Sequence, residues 1–332
     1  MKSFKFVLIL WSMILILSRA SGAYWPIYDL GEMSKDNYTH LSINNNCIIA
    51  GDFYYGGMYN YHACTYDPMS GEPILDLGTL PDGNSSQANC INDVGQIVGQ
   101  SIGNDNQWHG CFFDASGNGE NIDLGIGSAS CINNAGLIVG AFSYSYQVLD
   151  INNPDFHLYL GGLSQSHPDS VVNCINDNGQ IVGSGTTDAG QGHAVLFDAS
   201  GGGENIDLGS LGFDMSRAVS INNAGLIIGE ARISTGSMRA CLFDPSGEGD
   251  NIDLGTLGGS ASYARSINNQ NQIIGYANSA GGFHACLFDI SGNGQNIDLN
   301  DMIDPSYGWE WKSARKGDPD RECESASKMD PP

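Results

Sequence analysis

Basic residues are scarce in this sequence. Its 332 residues include 13 Lys+Arg against 37 Asp+Glu, for a formal net charge of −24 at pH 7. Such a surface repels the phosphate backbone of nucleic acids and anionic lipid headgroups. The sequence therefore predicts no nucleic-acid partner. Charged residues make up 15% and hydrophobic residues 41% of the chain, with 45 Gly, which is typical of a folded, turn-rich protein rather than a disordered acidic tail.

Long apolar runs are also scarce. One run of about 12 residues, from Phe6 to Leu17, follows two lysines and precedes Ser21-Gly22-Ala23. It is shorter than the roughly 20 residues of a membrane-spanning helix, but it has the basic start and small-x-small end of a secretory signal peptide. We expect a signal peptide at 1–23 and a secreted or periplasmic mature protein without a membrane span.

Helical periodicity is missing, and a repeat takes its place. An Ile-Asn step followed by a glycine-flanked apolar pair, in most copies Gly-x-Ile-x-Gly, begins at Ile91, Ile132, Ile175, Ile221 and Ile267, with a sixth, degenerate copy from Ile43 to Gly51. Asp-Leu-Gly recurs at Asp29, Asp76, Asp123, Asp207 and Asp253, with variants at Tyr159 and Asp298. A strand of the type His-Ala-x-Leu-Phe begins at His62, His109, His193, Arg239 and His284. Each repeat of about 46 residues thus offers four short β-prone runs separated by turns, the pattern of a propeller blade.

The predicted fold is therefore all-β, a β-propeller of six to seven four-stranded blades with the last blade incomplete. A further repeat starts after Leu299 with Gly308 to Ala314, but no Ile-Asn strand follows it. Residues 312–332 are instead rich in charge and proline. We expect a repeat domain at 24–311 and a disordered charged tail at 312–332.

The repeated motifs resemble a known family. Ser260 to Asn269, with the pattern Ser-x-x-x-Ala-x-x-Ile-Asn-Asn, and Asp-Leu-Gly-x-Leu-Gly-Gly at Asp253 to Gly259 accompany the His-Ala-x-Leu-Phe strand in a fixed order. This combination resembles the bacterial extracellular repeat proteins of the HAF type over residues 29 to 314. The resemblance implies a secreted repeat protein with a propeller fold and carries no catalytic residues. One departure is cysteine in place of the family's phenylalanine, at Cys64, Cys111, Cys241 and Cys286.

Nine cysteines in an exported chain raise the question of disulfides. Besides those four, Cys90, Cys131 and Cys174 precede Ile-Asn, where other repeats have serine. This alternation favours small buried fillers with free thiols. The rival interpretation pairs Cys64 with Cys90 and Cys111 with Cys131.

Repeated polar residues invite two metal hypotheses. The histidines that begin the His-Ala strands suggest a metal ring, but their equivalence and the replacement by Arg239 favour hydrogen bonding at a blade edge, and the repeated aspartates favour turn caps. Two segments resemble the start of a calcium loop, with candidate ligands Asp114, Ser116, Asn118, Asp289, Ser291 and Asn293. The glutamate due at loop position 12 is missing, so we interpret them as turns, with weak calcium binding as the alternative and no other cofactor expected.

Aromatic residues cluster in one class of loop, between the Gly-x-Ile-x-Gly strand and the His-Ala strand. They are Tyr54, Tyr55, Tyr59, Tyr61, Trp108, Tyr144 and Tyr146. Equivalent loops lie on one face of a propeller, where aromatic rings beside Asp and Asn suit sugar binding. The alternative is ordinary surface tyrosines.

The sequence shows no positive sign of an enzyme, since it has no nucleophile elbow, phosphate loop or marked carboxylate pair. We predict a secreted binding or interaction module, with carbohydrate or a cell-envelope component as the ligand. The alternatives are a structural surface protein without a discrete ligand and a hydrolase with an acidic central pocket. The oligomeric state is not predicted.

Overall fold

A computed structural model of the protein describes residues 41–54, 60–167, 169–202 and 204–302, together with the backbone of four short segments at 7–8, 28–29, 309–311 and 326–328. The strands, in chain order, are β1 (Val7–Leu8), β2 (Tyr28–Asp29), β3 (Ser42–Ile43), β4 (Ile49–Tyr54), β5 (Tyr61–Tyr66), β6 (Leu75–Gly78), β7 (Ser86–Ile91), β8 (Ile97–Ile102), β9 (Trp108–Phe113), β10 (Ile122–Ile132), β11 (Leu137–Phe142), β12 (Ser145–Asp150), β13 (Asn153–Tyr159), β14 (Ser170–Ile175), β15 (Ile181–Thr186), β16 (Gly192–Phe197), β17 (Ile206–Asp207), β18 (Gly212–Ile221), β19 (Ile227–Ile233), β20 (Met238–Phe243), β21 (Ile252–Asp253), β22 (Ser262–Ile267), β23 (Ile273–Ser279), β24 (Gly282–Phe288), β25 (Ile297–Asp298), β26 (Trp309–Trp311) and β27 (Ala326–Lys328). A 3-10 helix spans Leu299–Met302.

Each repeat forms a four-stranded, mainly antiparallel sheet, which we call a blade. The blades are blade 1 (42–78), blade 2 (86–126), blade 3 (130–159), blade 4 (170–207), blade 5 (212–253) and blade 6 (262–298). Strand β10 belongs to two of them, since its start pairs with β9 and its end leads into the sheet with β11. The order of strands within each blade is the order predicted from the three motifs.

The chain divides into two compact units. The first contains blades 1 and 2, and the second, from Ser130 to Asp298, contains blades 3 to 6. Among the described residues, no helix is long and apolar enough to cross a membrane.

The core lies between the faces of neighbouring blades. In the first unit, Ala50 and Leu77 of blade 1 pack with Ala88, Ile97 and Phe113 of blade 2. The same motif positions recur between blades 4 and 5 and between blades 5 and 6, where Phe243 and Phe288 take the place of Phe113. The Ala, Phe and Leu of the His-Ala-x-Leu-Phe and Asp-Leu-Gly motifs are therefore core residues. Stacked blades bury both faces of each sheet, which explains apolar residues on both sides of a strand.

The second glycine of Gly-x-Ile-x-Gly is required by a close backbone approach. The register of β18 against β19 shifts between Ala218 and Ser220, which brings the first strand of blade 5 against Gly229. A Cβ at Gly229 would lie 2.0 Å from the carbonyl oxygen of Arg217, and a Cβ at Gly275 in blade 6 would lie 1.9 Å from that of Tyr263. Any side chain here would displace the neighbouring strand.

Within each compact unit, the asparagine of Ile-Asn joins one blade to the next. The buried Asn222 side chain donates from Nδ2 to the carbonyl oxygen of Asn268 at 3.1 Å, and its Oδ1 accepts the backbone N–H groups of Ala224 and Leu226. The same Nδ2 bond to the following blade is made by Asn44, Asn133 and Asn176. One amide thus caps its own turn and links two blades, which uses both its donor and its acceptor.

A second asparagine makes the reverse connection. Asn251, just before β21, donates to the carbonyl oxygen of Leu208, directly after the last strand of blade 4, at 2.7 Å and accepts the backbone N–H of Asp244 in its own blade. Asn121, Asn205 and Asn296 make the equivalent bonds. Neighbouring blades within each unit are therefore tied by side chains that the repeat conserves along the chain.

Blade 3 departs from the repeat, since Tyr146 to Asp150 replace the His-Ala strand. Its last strand, β13, has seven residues where blades 4, 5 and 6 have two, and it is largely exposed. Gln147 pairs with Gly140 at the position that cysteine holds in other blades, and its Oε1 lies 3.1 Å from His157 Nδ1. The polar segment Asn153–Tyr159 is thus built into the sheet as an extended outer strand.

The ends of the chain are described only as short pairs. Strand β1 pairs with β2, and β26 pairs with β27, both antiparallel. Ala326–Lys328 lies in the predicted tail and forms a strand there, while 312–325 and 329–332 are outside the described residues. The boundaries at 23 and 311 stay predictions.

Candidate functional site

Five of the seven predicted aromatic residues are described, and they lie at the hairpins that join the second and third strands of blades 1, 2 and 3. Tyr54 ends β4 and Tyr61 begins β5, and their rings meet edge to face with centroids 5.9 Å apart. Tyr55 and Tyr59 lie outside the described residues. Trp108 begins β9 with 38% of its surface exposed. These three described side chains belong to the first compact unit.

Tyr144 is the most unusual of the group. Phe142 and Ser145 are paired, so the hairpin turn is Ser143-Tyr144, with φ of 48° and 65°. Positive φ at both turn positions is typical of type I′ turns, which favour Asn-Gly. Tyr144 is nevertheless there, with 95% of its surface exposed. Tyr146 follows it in β12, where burial raises the pKa of its phenol and Asp169 adds to this effect. Tyr144 and Tyr146 belong to the second compact unit, so a single patch formed by all seven residues stays a prediction.

The repeated histidines pair with the repeated aspartates of their own blades. His193 Nδ1 lies 2.9 Å from the carboxylate of Asp207, which also accepts the backbone N–H of Gly209 at 2.8 Å. His62, His109 and His284 pair with the equivalent aspartates, and Arg239 Nε lies 4.0 Å from Asp253. The hydrogen-bonding role of the histidines and the turn-capping role of the aspartates are confirmed. Within the described residues, no cluster of three or more His, Cys, Asp or Glu side chains is placed to hold a metal ion.

His109 lies between two carboxylates. Its Nδ1 lies 2.9 Å from Asp123, and its Nε2 lies 3.1 Å from Asp105. Burial alone would lower the pKa of His109, but the hydrogen bonds and charges of Asp123 and Asp105 outweigh burial, and the pKa is raised above 6.5. The interaction of protonated His109 with Asp123 and Asp105 therefore stabilises the fold fully below about pH 6.5. This contribution is lost as pH rises through the folded-state pKa of His109.

We expect the imidazole of His109 to titrate above pH 6.5, and Asp123→Asn or Asp105→Asn to lower its pKa. NMR titration of the imidazole carbon-bound protons measures this directly. Unchanged titration in both variants would contradict the pairing, and Asp93→Asn, which lies on a separate turn of the same blade, is the matched control.

The two calcium-like segments are turns. Asp114 Oδ1 accepts the backbone N–H of Ser116 at 2.9 Å, and Asp289 does the same for Ser291 at 3.0 Å. Hydrogen bonds from these serine side chains lower the pKa of both aspartates. Gly117, with φ of 72°, would place a Cβ 2.9 Å from the carbonyl oxygen of Asp76 in blade 1. The turn interpretation accounts for the motif, since Asn118 Nδ2 and Asn293 Nδ2 donate to the same serines. Calcium binding stays an untested prediction.

The burial of the cysteines agrees with their interpretation as small residues that fill the core. None of the eight described cysteines forms a disulfide with another described cysteine, and Cys64, Cys111, Cys241 and Cys286 are fully buried. Desolvation raises the pKa of all four thiols, which keeps them protonated. In the second unit, Cys131 Sγ lies 3.7 Å from Cys174 Sγ, and the hydrogen bond from Cys131 lowers the pKa of Cys174. Neither disulfide of the rival interpretation is present.

A charged and aromatic cluster in blades 5 and 6 was not foreseen from the sequence. Glu230 is buried, with 5% of its surface exposed, and its carboxylate accepts Arg217 Nη2 at 2.6 Å and Arg265 Nη1 at 3.1 Å. Arg217 and Glu230 are directly opposite each other in blade 5, as Tyr263 and Tyr276 are in blade 6. We call these five residues the arginine–tyrosine cluster.

Aromatic stacking orders the exposed side of this cluster. The Arg265 guanidinium carbon lies 5.4 Å from the ring centre of Tyr263 and 5.0 Å from that of Tyr276, and its Nη2 donates to Tyr276 Oη at 2.6 Å. Tyr263 and Tyr276 are stacked at 4.8 Å, and Phe283 packs against both. The signal in the sequence was a departure from the repeat, because blade 2 has Gln87 and Gln100 at the positions of Arg217 and Glu230.

Asp52 occupies the same repeat position as Glu230, in blade 1. It is 2% exposed, and its Oδ1 has no hydrogen-bond partner in the described part of the chain. Burial raises its pKa to about 7. The hydrolase alternative asks for two convergent carboxyls of this kind. Asp52 supplies one, and its Oδ1 makes no hydrogen bond to a second.

Comparison with known proteins gives the fold. No protein-family model matches this chain, and no curated protein matches it. Among solved structures, the β-propeller domain of the trilobed protease from Pyrococcus furiosus, described as having an open velcro topology, matches with a TM-score of 0.50 at 10% identity, over 80% of this chain and 84% of that chain. TolB from Acinetobacter baumannii matches with a TM-score of 0.46 at 14% identity, over 74% of this chain and 61% of that chain. Trypanosoma rangeli sialidase matches with a TM-score of 0.45 at 10% identity, over 81% of this chain and 56% of that chain. This chain thus spans less than two thirds of the TolB and sialidase chains. The fold is a β-propeller, as predicted.

Proposed function

We propose that the protein is a secreted β-propeller module that binds carbohydrate or a cell-envelope component through the aromatic hairpins of blades 1 to 3. The proposal includes membership of the HAF-type repeat proteins and export by the segment at 1–23. The observation that carries it is Tyr144, a large ring at positive φ on the tip of a hairpin, with 95% of its surface exposed.

Folding alone does not account for Tyr144. A non-glycine residue in the left-handed region costs roughly 1–2 kcal/mol, and an exposed ring gains little from burial. Gly or Asn would satisfy the turn at lower cost. Strain kept at an exposed aromatic residue is typical of a binding function, since an exposed tyrosine ring can stack on the C–H face of a sugar.

The test separates binding from folding in one substitution. We expect Tyr144→Gly to leave stability unchanged or to raise it by about 1 kcal/mol, because it relieves the turn, and to weaken binding to a panel of neutral glycans and to isolated cell envelopes. Glycan arrays and calorimetry on the purified protein measure binding, and urea denaturation measures stability.

Trp108→Ala and Tyr54→Ala test the other two hairpins, and Gln191→Ala is the matched control on the equivalent hairpin of blade 4. Loss of glycan binding in Tyr144→Gly with Gln191→Ala unchanged supports the proposal. Absence of binding to every glycan and envelope tested, with or without calcium, would favour the structural alternative.

A further inference from the structure

Two cavities occupy the same repeat positions in blades 2 and 4. Each lies between the turn after the first strand, the end of the third strand and the start of the fourth strand. The cavity in blade 2 has a volume of about 250 Å³ and that in blade 4 of about 350 Å³, and seven of the nine lining residues are identical in the two blades. Each contains a glutamine, a glutamate and an isoleucine at matching positions, namely Gln96, Glu120 and Ile122 in blade 2 and Gln180, Glu204 and Ile206 in blade 4.

Other blades do not combine this glutamine with this glutamate. At the glutamine position, blades 3 and 5 have leucine and blade 1 has Ile48. At the glutamate position, blade 5 has Asp250 and blade 6 has Gln295. Leu226 of blade 5 and Ile48 pack against the hydrophobic core, so a glutamine at this position gives up an apolar contact. Packing of the blades therefore does not account for the glutamine that blades 2 and 4 share.

Each glutamine is held by its side-chain carbonyl oxygen. Asn92 Nδ2 donates to Gln96 Oε1 at 2.7 Å, and Asn176 Nδ2 donates to Gln180 Oε1 at 2.8 Å. These bonds fix the two amide groups and leave each glutamine Nε2, which has two N–H donors, without a hydrogen-bond partner among the described residues. Each cavity therefore has an ordered donor that a ligand can use.

The glutamates supply the acceptors. Glu120 and Glu204 are exposed, and their carboxylates form no hydrogen bond or ion pair in the described part of the chain. The aspartates that line the same cavities differ, because Asp114 and Asp198 already accept hydrogen bonds from serines of their own turns. One carboxylate in each cavity is thus open to a positively charged ligand.

Apolar side chains complete the cavities. Phe113 and Phe197, which line them, are 1% and 3% exposed and belong to the core. In blade 2, Val94 and Ile122 also line the cavity, although 66% and 47% of their surfaces are exposed. Aliphatic surface next to an unpaired carboxylate matches a ligand with a positive charge at the end of an aliphatic stem.

We propose that the cavities of blades 2 and 4 each bind a lysine side chain of a basic partner protein. The ammonium group bonds to the glutamate carboxylate, and the methylene chain packs on the isoleucine. A main-chain carbonyl oxygen of the partner next to the lysine accepts a hydrogen bond from the glutamine Nε2. The net charge of −24 attracts such a partner over a longer range.

The number of polar groups favours a lysine over an amino sugar. Each cavity offers one carboxylate and one amide, whereas an amino sugar brings several hydroxyl groups that lose water on binding and each require a partner. A lysine side chain has one charged group on a four-carbon apolar stem. These cavities are separate from the aromatic hairpins, which join the second and third strands, so the proposal does not depend on glycan binding there.

NMR titration of the full protein with Nα-acetyl-lysine methylamide tests the proposal. The side-chain amide signals of Gln96 and Gln180 report on the two cavities separately. We expect both signals to shift and to saturate, with dissociation constants in the millimolar range that is typical of one exposed ion pair with a small apolar contact. The Nε-acetylated probe, which lacks the charge, should bind about fivefold more weakly or worse.

Three variants locate the interaction. Glu120→Gln should weaken binding at Gln96 by about fivefold or more and leave the response of Gln180 unchanged, so each cavity is an internal control for the other. Ile122→Thr should weaken binding in blade 2 while the charge is retained. Glu248→Gln removes an exposed glutamate of blade 5 that lines neither cavity, and it is the matched control that should bind like the wild type.

The outcomes are distinct. Equal losses in Glu120→Gln and Glu248→Gln would show general attraction to an acidic surface and would overturn the proposal. Equal binding of the charged and acetylated probes, or unchanged glutamine signals at saturating probe, would also overturn it. Methyl glucosaminide that displaces the lysine probe with higher affinity would assign the cavities to an amino sugar and overturn the protein partner. If Glu120→Gln does not fold, Glu204→Gln and the comparison of the two probes on the wild type decide the matter.

Discussion

Asn222→Ala should destabilise the protein by about 3 kcal/mol. The substitution removes the Nδ2 bonds to Asn268 and Asn271 and the two turn caps on Oδ1. Each such bond contributes roughly 0.5–1.5 kcal/mol, and buried backbone groups that lose a partner add a desolvation cost. Urea denaturation followed by far-ultraviolet circular dichroism measures the loss.

Two companion variants identify which bonds matter. Asn222→Asp keeps oxygen acceptors for the turn but loses the Nδ2 donors, so its loss of stability reports the connection between blades 5 and 6. Asn293→Ala removes an exposed asparagine from a turn of blade 6 and should change stability by less than about 0.5 kcal/mol. A small effect of Asn222→Ala, comparable to that of Asn293→Ala, would contradict the linking role.

Asp52→Asn should make the protein more stable than the wild type at neutral and higher pH. The pKa of Asp52 is raised from 3.8 to about 7 by burial, so the folded state holds a proton that the unfolded state releases. The contribution of the protonated group is fully present below about pH 4 and is lost as pH rises through about 7. At about 1.4 kcal/mol for each unit, the advantage of the variant grows by up to about 4 kcal/mol between pH 4 and pH 8.

Unfolding free energies of both proteins at pH 4, 6 and 8 test this expectation. Asp114→Asn is a control of opposite sign, because hydrogen bonds from Ser116 lower the pKa of Asp114. Its stabilising contribution is present above about pH 4 and is lost as pH falls, so this variant should lose its disadvantage in acid. A constant difference between Asp52→Asn and the wild type at all three pH values would show that Asp52 titrates normally in the folded protein.

The blade architecture was predictable because the signature residues act in every repeat. Asn222 caps a turn and links two blades, Phe243 fills the space between blades, and Asp207 orients His193. Each of these roles depends on a particular local backbone conformation. The recurring pattern of residue types therefore indicates that conformation in every repeat. The predicted pattern fits blade 3 less well, because a signature residue is replaced there. Blade 3 has Gln147 where cysteine stands in other blades, and its outer strand is longer.

The arginine–tyrosine cluster and Asp52 could not be predicted in the same way. Arg265 reaches Glu230 across 35 residues, and nothing in the spacing of the two residues indicates that they meet. Asp52 lies in the degenerate first repeat, where a single acidic residue after Gly51 looks like a surface position. Both sites are departures from the repeat, and their significance depends on which side chains the neighbouring strands place next to them.

The hydrogen bonds between blades affect how the number of repeats in a protein of this kind can change. The asparagine side chains that link blades bond to main-chain carbonyl oxygens of the adjacent blade, and the connection does not depend on which side chain that neighbour carries at the accepting residue. An in-frame duplication or deletion of one repeat therefore rebuilds the same junction without compensating substitutions. The number of repeats can then change while the positions of Glu230 and Tyr144 diverge independently in each copy.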